Sequence, residues 1–160
     1  FGAGGRLFTC GNGGSATDAD GAAQLFARPP SGQPLPARSL ALDYSVLTAL
    51  SNDIGFDVVF ARQIGAHARA GDIALGLSTS GNSENLLAAF AEARRRGLLT
   101  IGIAGYDGGL MATCGHLDHC LVARSDSVHR IQEAQAALIH ALWAAVQRAL
   151  ASLPDERIAS

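Results

Sequence analysis

Short, almost uninterrupted apolar runs alternate along this chain with longer stretches in which apolar residues recur every three or four positions. That alternation predicts βαβ units and a parallel sheet. Arg6 to Cys10 (RLFTC) reads as the first strand, Arg38 to Leu42 (RSLAL) as the second and Asp72 to Leu77 (DIALGL) as the third. Thr100 to Ala104 (TIGIA) and Cys120 to Ala123 (CLVA) read as the fourth and fifth. Strands with so few polar positions suit a sheet covered on both faces, so the fold class is α/β with a doubly wound sheet.

The helix after the third strand carries the clearest local signals. In SENLLAAFAEARRRG, Ser83 suits the N-cap, Glu84 the positive end, Arg94 to Arg96 the negative end, and Gly97 the stop. The final helix is predicted from about Val128 to Leu150 and is mostly apolar. Four of the five prolines fall in ARPPSGQPLPAR, which is too short for a domain linker, so residues 1–160 are expected to form a single domain.

Composition narrows the function classes. The 160 residues are 48% hydrophobic and 16% charged, which describes a globular chain with a real core. A net charge of −2 provides no basic field for direct nucleic-acid binding, and no long apolar run or leader pattern points to a membrane. The cytoplasm is the expected location. Cys10, Cys114 and Cys120 are odd in number and lack CxxC spacing, which predicts reduced interior thiols. The chain opens on Phe1, so a preceding segment is expected.

Two strand-to-helix junctions carry candidate chemistry. Gly11-Asn12-Gly13-Gly14-Ser15 follows the first strand, and Ser78-Thr79-Ser80-Gly81-Asn82-Ser83 follows the third. Ligands of a doubly wound sheet sit at such junctions. Glycines admit an anion close to the backbone, hydroxyls donate hydrogen bonds, and a helix N-terminus adds N–H groups and partial positive charge. One N-cap explains one hydroxyl, whereas the second loop has four, which favours a phosphate. The first loop alone could be a plain turn. Neither loop has GxxxxGK[ST] or GxGxxG spacing, which disfavours a nucleoside triphosphatase and a dinucleotide site.

GNGGSATDA, SNDIGFDVVFARQI, GDIALGLSTSGNSENLLAAF, GYDGG and RIQEAQAALIH stand in the order and near the spacing of sugar isomerase (SIS) domains. Over nearly its whole length the chain resembles the phosphoheptose isomerase (sedoheptulose 7-phosphate isomerase) subgroup. The resemblance implies a flavodoxin-like three-layer sandwich with five parallel strands. It also implies a small phosphosugar as ligand, bound between subunits of a homodimer or homotetramer. By resemblance Ser78, Thr79, Ser80 and Ser83 bind phosphate, while Asn12, Gly13, Ser15, Asn52 and Asp53 bind sugar. Asn52-Asp53 also reads as a capped turn before a helix at Phe56. The resemblance also leads to the expectation that the family's N-terminal helical segment, which helps build its tetramer, is largely absent from these 160 residues.

Ketose–aldose isomerisation needs a general base and a general acid. The family places His and, four residues on, Glu on one face of the helix after GNGGS, and those positions are Gly21 and Leu25 here. Neither side chain moves a proton. Asp20 and Gln24 stand one residue earlier, about 100° away around the helix, and Asp18 lies on another face. On the final helix Gln132 and His140 match the family's catalytic Gln and His, and a second histidine has become Gln135. Zinc, bound by some relatives through the His, Glu, Gln and His set, would keep two ligands, so no cofactor is expected.

His140 also reads as a core histidine with one hydrogen-bond partner, and His129 and Glu133 share its stripe. His67, His116 and His119 fit no pattern. Three functions compete. One is an isomerase with His140 as acid/base and a base from elsewhere. Another is a non-catalytic regulator or scaffold, like the relative that binds the bacterial replication initiator DnaA. The third is a subunit of a mixed oligomer that lends Gln132 and His140 to a second SIS chain.

Overall fold

The computed structural model describes residues 1–152. Five parallel strands form its sheet: β1 (Leu7–Gly11), β2 (Ala37–Ser39), β3 (Ile73–Ser78), β4 (Leu99–Gly105) and β5 (His119–Ala123). Their order is β2-β1-β3-β4-β5, with Leu7 opposite both Ala37 and Ile73. The five helices are α1 (Gly14–Ala27), α2 (Tyr44–Asp53), α3 (Val59–His67), α4 (Glu84–Arg95) and α5 (Val128–Ala151). The flavodoxin-like order places the topological switch between β1 and β3, the two strands that feed the glycine and serine loops.

Alternating strand residues feed two cores. Leu7, Leu75, Leu77 and Ile103 meet Ala19, Ala22 and Phe26 of α1 and Ile139 of α5 on one face. Phe8, Cys10, Ala74 and Ala104 meet Phe60 and Ile64 of α3 and Leu86 and Phe90 of α4 on the other. Gly76 breaks the apolar run because the Phe90 ring occupies the space a Cβ would need. Burial pushes the Cys10 thiol up to about 12, in keeping with an interior thiol. Cys114 and Cys120 are free but only half-buried, so the interior expectation holds for Cys10 alone.

At the end of the sheet away from the loops, where β1 and β3 start, buried Asp72 accepts from Arg6 N (2.9 Å), Arg6 Nη2 (2.7 Å) and Arg69 N (2.9 Å). Burial alone would raise this carboxyl, but the Arg6 side chain and the two N–H groups outweigh it and hold it below its ordinary range. β1 and β3 are thereby tied side by side at their starts.

Three expectations need correction. The second strand is shorter and earlier than Arg38–Leu42, because the chain turns at Leu40 toward α2. Asn52 and Asp53 do precede a helical segment that starts at Phe56, but they are not a capped turn. They form the last turn of α2, where Val46, Leu47 and Leu50 continue a helical stripe, and a 3-10 turn (Phe56–Val58) then leads into α3. Ser83 stands at the N-cap of α4 without a capping side-chain bond. Its hydroxyl turns back to Ser78 instead.

Candidate functional site

The site starts from a crowded backbone. After β3 the chain turns through Gly81 at φ 69°, where an added methyl would overlap the Gly108 carbonyl. Only glycine meets both demands. The segment of residues 105–111, which begins with GYDGG, braces it: Gly105 N donates to Thr79 O (3.0 Å), Met111 N to Gly81 O (2.9 Å) and Leu110 N to Asn82 Oδ1 (2.8 Å). Tyr106 takes a left-handed φ of 49° within the brace.

On this support the hydroxyls converge. Ser78 is buried, and its Oγ accepts from Gly81 N (3.1 Å) while lying 3.1 Å from Ser83 Oγ and 3.4 Å from Ser80 Oγ. Ser80 Oγ also accepts from Asn82 N (3.2 Å). Ser80 is exposed, Thr79 and Ser83 are half-buried, and α4 begins directly behind them. Three serine hydroxyls around one point at a helix N-terminus suit the oxygens of a phosphate monoester.

The glycine loop joins the same site. Asn12 and Asn85 exchange two side-chain hydrogen bonds, at 2.8 and 2.9 Å, which clasp the β1–α1 loop to the first turn of α4. Gly13, at φ 55°, starts α1. A methyl at Gly14 would overlap the Gln132 amide, so α5 reaches the loop through Gln132. Burial raises the Asp18 carboxyl and the Gln132 amide partly offsets it. Asp18 Oδ2 is buried with no hydrogen-bond partner among the described residues. Asn85 and the Asn12 clasp were not foreseen from the sequence. The available signal was an asparagine beside Leu86 on the buried stripe of α4.

Other expected residues lie elsewhere. Asn52 and Asp53 are exposed at the end of α2, bonded to each other (2.7 Å), and no described hydrogen bond links them to either loop. His140 is exposed, with Nδ1 3.0 Å from Ala136 O, so it is not a core histidine. It stands eight residues from Gln132, about 12 Å along α5, so one chain does not gather the two at the loop. Gln135 is buried and donates to Ile103 O (3.0 Å), fastening α5 to β4. His129 and Glu133 are exposed.

Gly21 faces open space on α1, and Leu25 packs with the core that includes Trp143 and Leu142. Neither brings a metal donor. Among the described residues no cluster of three His, Cys, Asp or Glu side chains could hold a metal ion. No described helix is long and apolar enough to cross a membrane.

The chain belongs to the SIS domain family, whose pattern matches residues 1–105. Within it the similar relatives are phosphoheptose isomerases: that of Solidesulfovibrio magneticus is 46% identical over 145 residues, 87% of this chain and 68% of the relative. Among solved structures, phosphoheptose isomerase from Neisseria gonorrhoeae superimposes with a TM-score of 0.84 at 40% identity, covering 90% of this chain and 77% of that one. The enzyme from Francisella tularensis gives 0.85 at 32% identity, covering 91% and 78%.

Proposed function

We propose that this chain binds a phosphosugar of the sedoheptulose 7-phosphate type, and that it has lost the His/Glu half of the isomerase machinery at Gly21 and Leu25. The observation that carries the reading is the Ser78, Ser80 and Ser83 hydroxyl cluster at the start of α4, braced by GYDGG and clasped to Asn12. The phosphate sits on that cluster and on Thr79, and Asn12, Gly13 and Ser15 face the sugar. Asn52 and Asp53 reach the sugar only from another subunit or after α2 moves.

Proton transfer between neighbouring carbons is the step that Gly21 and Leu25 cannot serve. Gln132 can orient a hydroxyl but cannot take a proton. His140 can, yet it points outward on α5. Its exposure favours, as a second reading, a homo-oligomer or a mixed oligomer in which a partner chain supplies the His/Glu pair. A scaffold of the initiator-associating type shares the binding step and omits turnover.

The test is sedoheptulose 7-phosphate in D₂O with the full chain, followed by NMR and by thermal shift. Stabilisation without deuterium incorporation is expected, and restoring the pair with Gly21→His and Leu25→Glu should bring exchange up by about 10²-fold or more. Exchange by the unaltered chain that vanishes in His140→Ala would overturn the loss of chemistry. No stabilisation by any phosphosugar would overturn the binding reading itself.

A further inference from the structure

Asn85 and Asn12 pair across the two loops of the site. Asn85 lies in the first turn of α4 and is 3% exposed, whereas Asn12 is half-buried between β1 and α1. Asn12 Nδ2 donates to Asn85 Oδ1 at 2.8 Å, and Asn85 Nδ2 donates to Asn12 Oδ1 at 2.9 Å. An asparagine at a helix start usually bonds to backbone close by in sequence. The Asn85 side chain makes no such bond among the described residues and reaches the neighbouring loop instead.

A reciprocal pair fixes orientation as well as distance. Each carboxamide has two N–H donors and an oxygen with two lone pairs, so the pair uses one donor and one lone pair from each. Turning one amide alone by a half rotation would set N–H against N–H and oxygen against oxygen, so Asn85 dictates which way Asn12 faces. Nothing within the glycine loop does this. Gly13 and Gly14 follow Asn12 without side chains, and Asn12 has no other side-chain hydrogen bond among the described residues. Asn85 is itself held by burial beside Leu86, which belongs to the core under α4. The second N–H and second lone pair of half-buried Asn12 are left for a ligand.

We propose that Asn85 is a positioning residue for ligand recognition. It touches no ligand. It sets the Asn12 amide in one orientation, so that the sugar half of a phosphosugar meets a fixed donor and acceptor while the phosphate lies on the serine loop. This role rests on the phosphosugar reading of the two loops. Because α4 begins at the serine loop and carries Asn85, the helix that receives the phosphate also aligns the group that reads the sugar. Loss of Asn85 therefore lowers affinity through the sugar half first.

Calorimetric titration of the full chain with sedoheptulose 7-phosphate and with orthophosphate separates the two halves. Asn85→Ala is expected to weaken phosphosugar binding about tenfold, and by more than it weakens orthophosphate binding. In a double-mutant cycle Asn12→Ala should lose at least as much, and adding Asn85→Ala to Asn12→Ala should weaken binding by less than about twofold more. A role confined to holding the start of α4 would give additive losses, or equal losses for the two probes, and either result overturns the proposal. If Asn85→Ala does not fold by far-UV circular dichroism, Asn85→Ser, which also lacks the amide, takes its place in the cycle. An unaltered chain that binds orthophosphate, and binds the phosphosugar no more tightly, overturns the positioning role alone. One that binds neither overturns the phosphosugar reading and this role with it.

Discussion

The two helices that start at the loop-bearing edge of the sheet, α1 and α4, are built on opposite terms. α4 is specified at both ends: Glu84 lies in its first turn, Arg94 and Arg95 in its last, and Glu92 is clasped by Arg95 (2.7 Å) and Arg96 (2.6 Å). α1 has no side-chain cap, no acidic residue in its first turn, no basic residue in its last, and a glycine in its middle. It is a helix because Ala19, Ala22, Ala23 and Phe26 are buried against the sheet. The lesson is that the serine-loop junction is over-determined by local chemistry, whereas α1 is held by one packed face. Its remaining positions can exchange charged for apolar residues at little structural expense.

The comparison breaks first at the glycines. Gly81→Ala must displace the Gly108 carbonyl as well as adopt a left-handed φ, so unfolding stability should fall by about 3 kcal/mol, with loss of the thermal response to phosphosugar. Gly13→Ala, at φ 55° with nothing within 4 Å of the new methyl, should lose only about 1–2 kcal/mol. Urea denaturation of both variants decides it. Equal losses would mean that crowding by the GYDGG loop is not what fixes the serine loop.

Ser78→Ala comes next. It leaves Gly81 N–H without its buried acceptor and removes the hub between Ser80 and Ser83, so a loss of about 1–3 kcal/mol is expected. The same variant should weaken phosphosugar binding about tenfold in a thermal-shift titration. Unchanged stability would show that backbone geometry alone shapes the loop.

Much of this contrast was legible beforehand. The strand pattern was readable because parallel strands buried on both faces leave apolar runs, and α4 because its punctuation is written in Glu84, the arginines and Gly97. α2 was missed: it has no fully buried residue, so its stripe of Val46, Leu47 and Leu50 is weak, and NDIG looked like a turn. The Asn12–Asn85 clasp joins residues 73 apart, a pairing that follows from sheet order and not from either local motif. Gln132 and His140 looked like one pair on α5, but their separation along the axis divides them.

Acid should sharpen the contrast between the helices more gently. The Arg95 and Arg96 guanidinium groups hold Glu92 down to about 2, against about 4.3 for a free glutamate. A depressed carboxyl contributes stability above its unfolded value that disappears as pH falls through its folded value. The window is therefore about pH 4.5 down to 2. With solvent screening the contribution is about 1 kcal/mol. Urea midpoints of the unaltered chain and Glu92→Gln should converge across that window. A gap unchanged from pH 5 to 2 would mean the arginines do not stabilise the end of α4.

The smallest effect separates packing from chemistry at α1. Gly21 is exposed, helical, and free of neighbours within 4 Å of a built methyl, so Gly21→Ala should restrict the unfolded chain without meeting anything in the folded one. A gain of about 0.5–1 kcal/mol is expected from urea denaturation, with phosphosugar binding unchanged. The glycine then serves no purpose in the isolated fold, and open space remains there for a larger side chain. A loss of stability would mean that the backbone at Gly21 departs from helix or meets another subunit. In that case α1 would be under a constraint that its packing within one chain does not reveal.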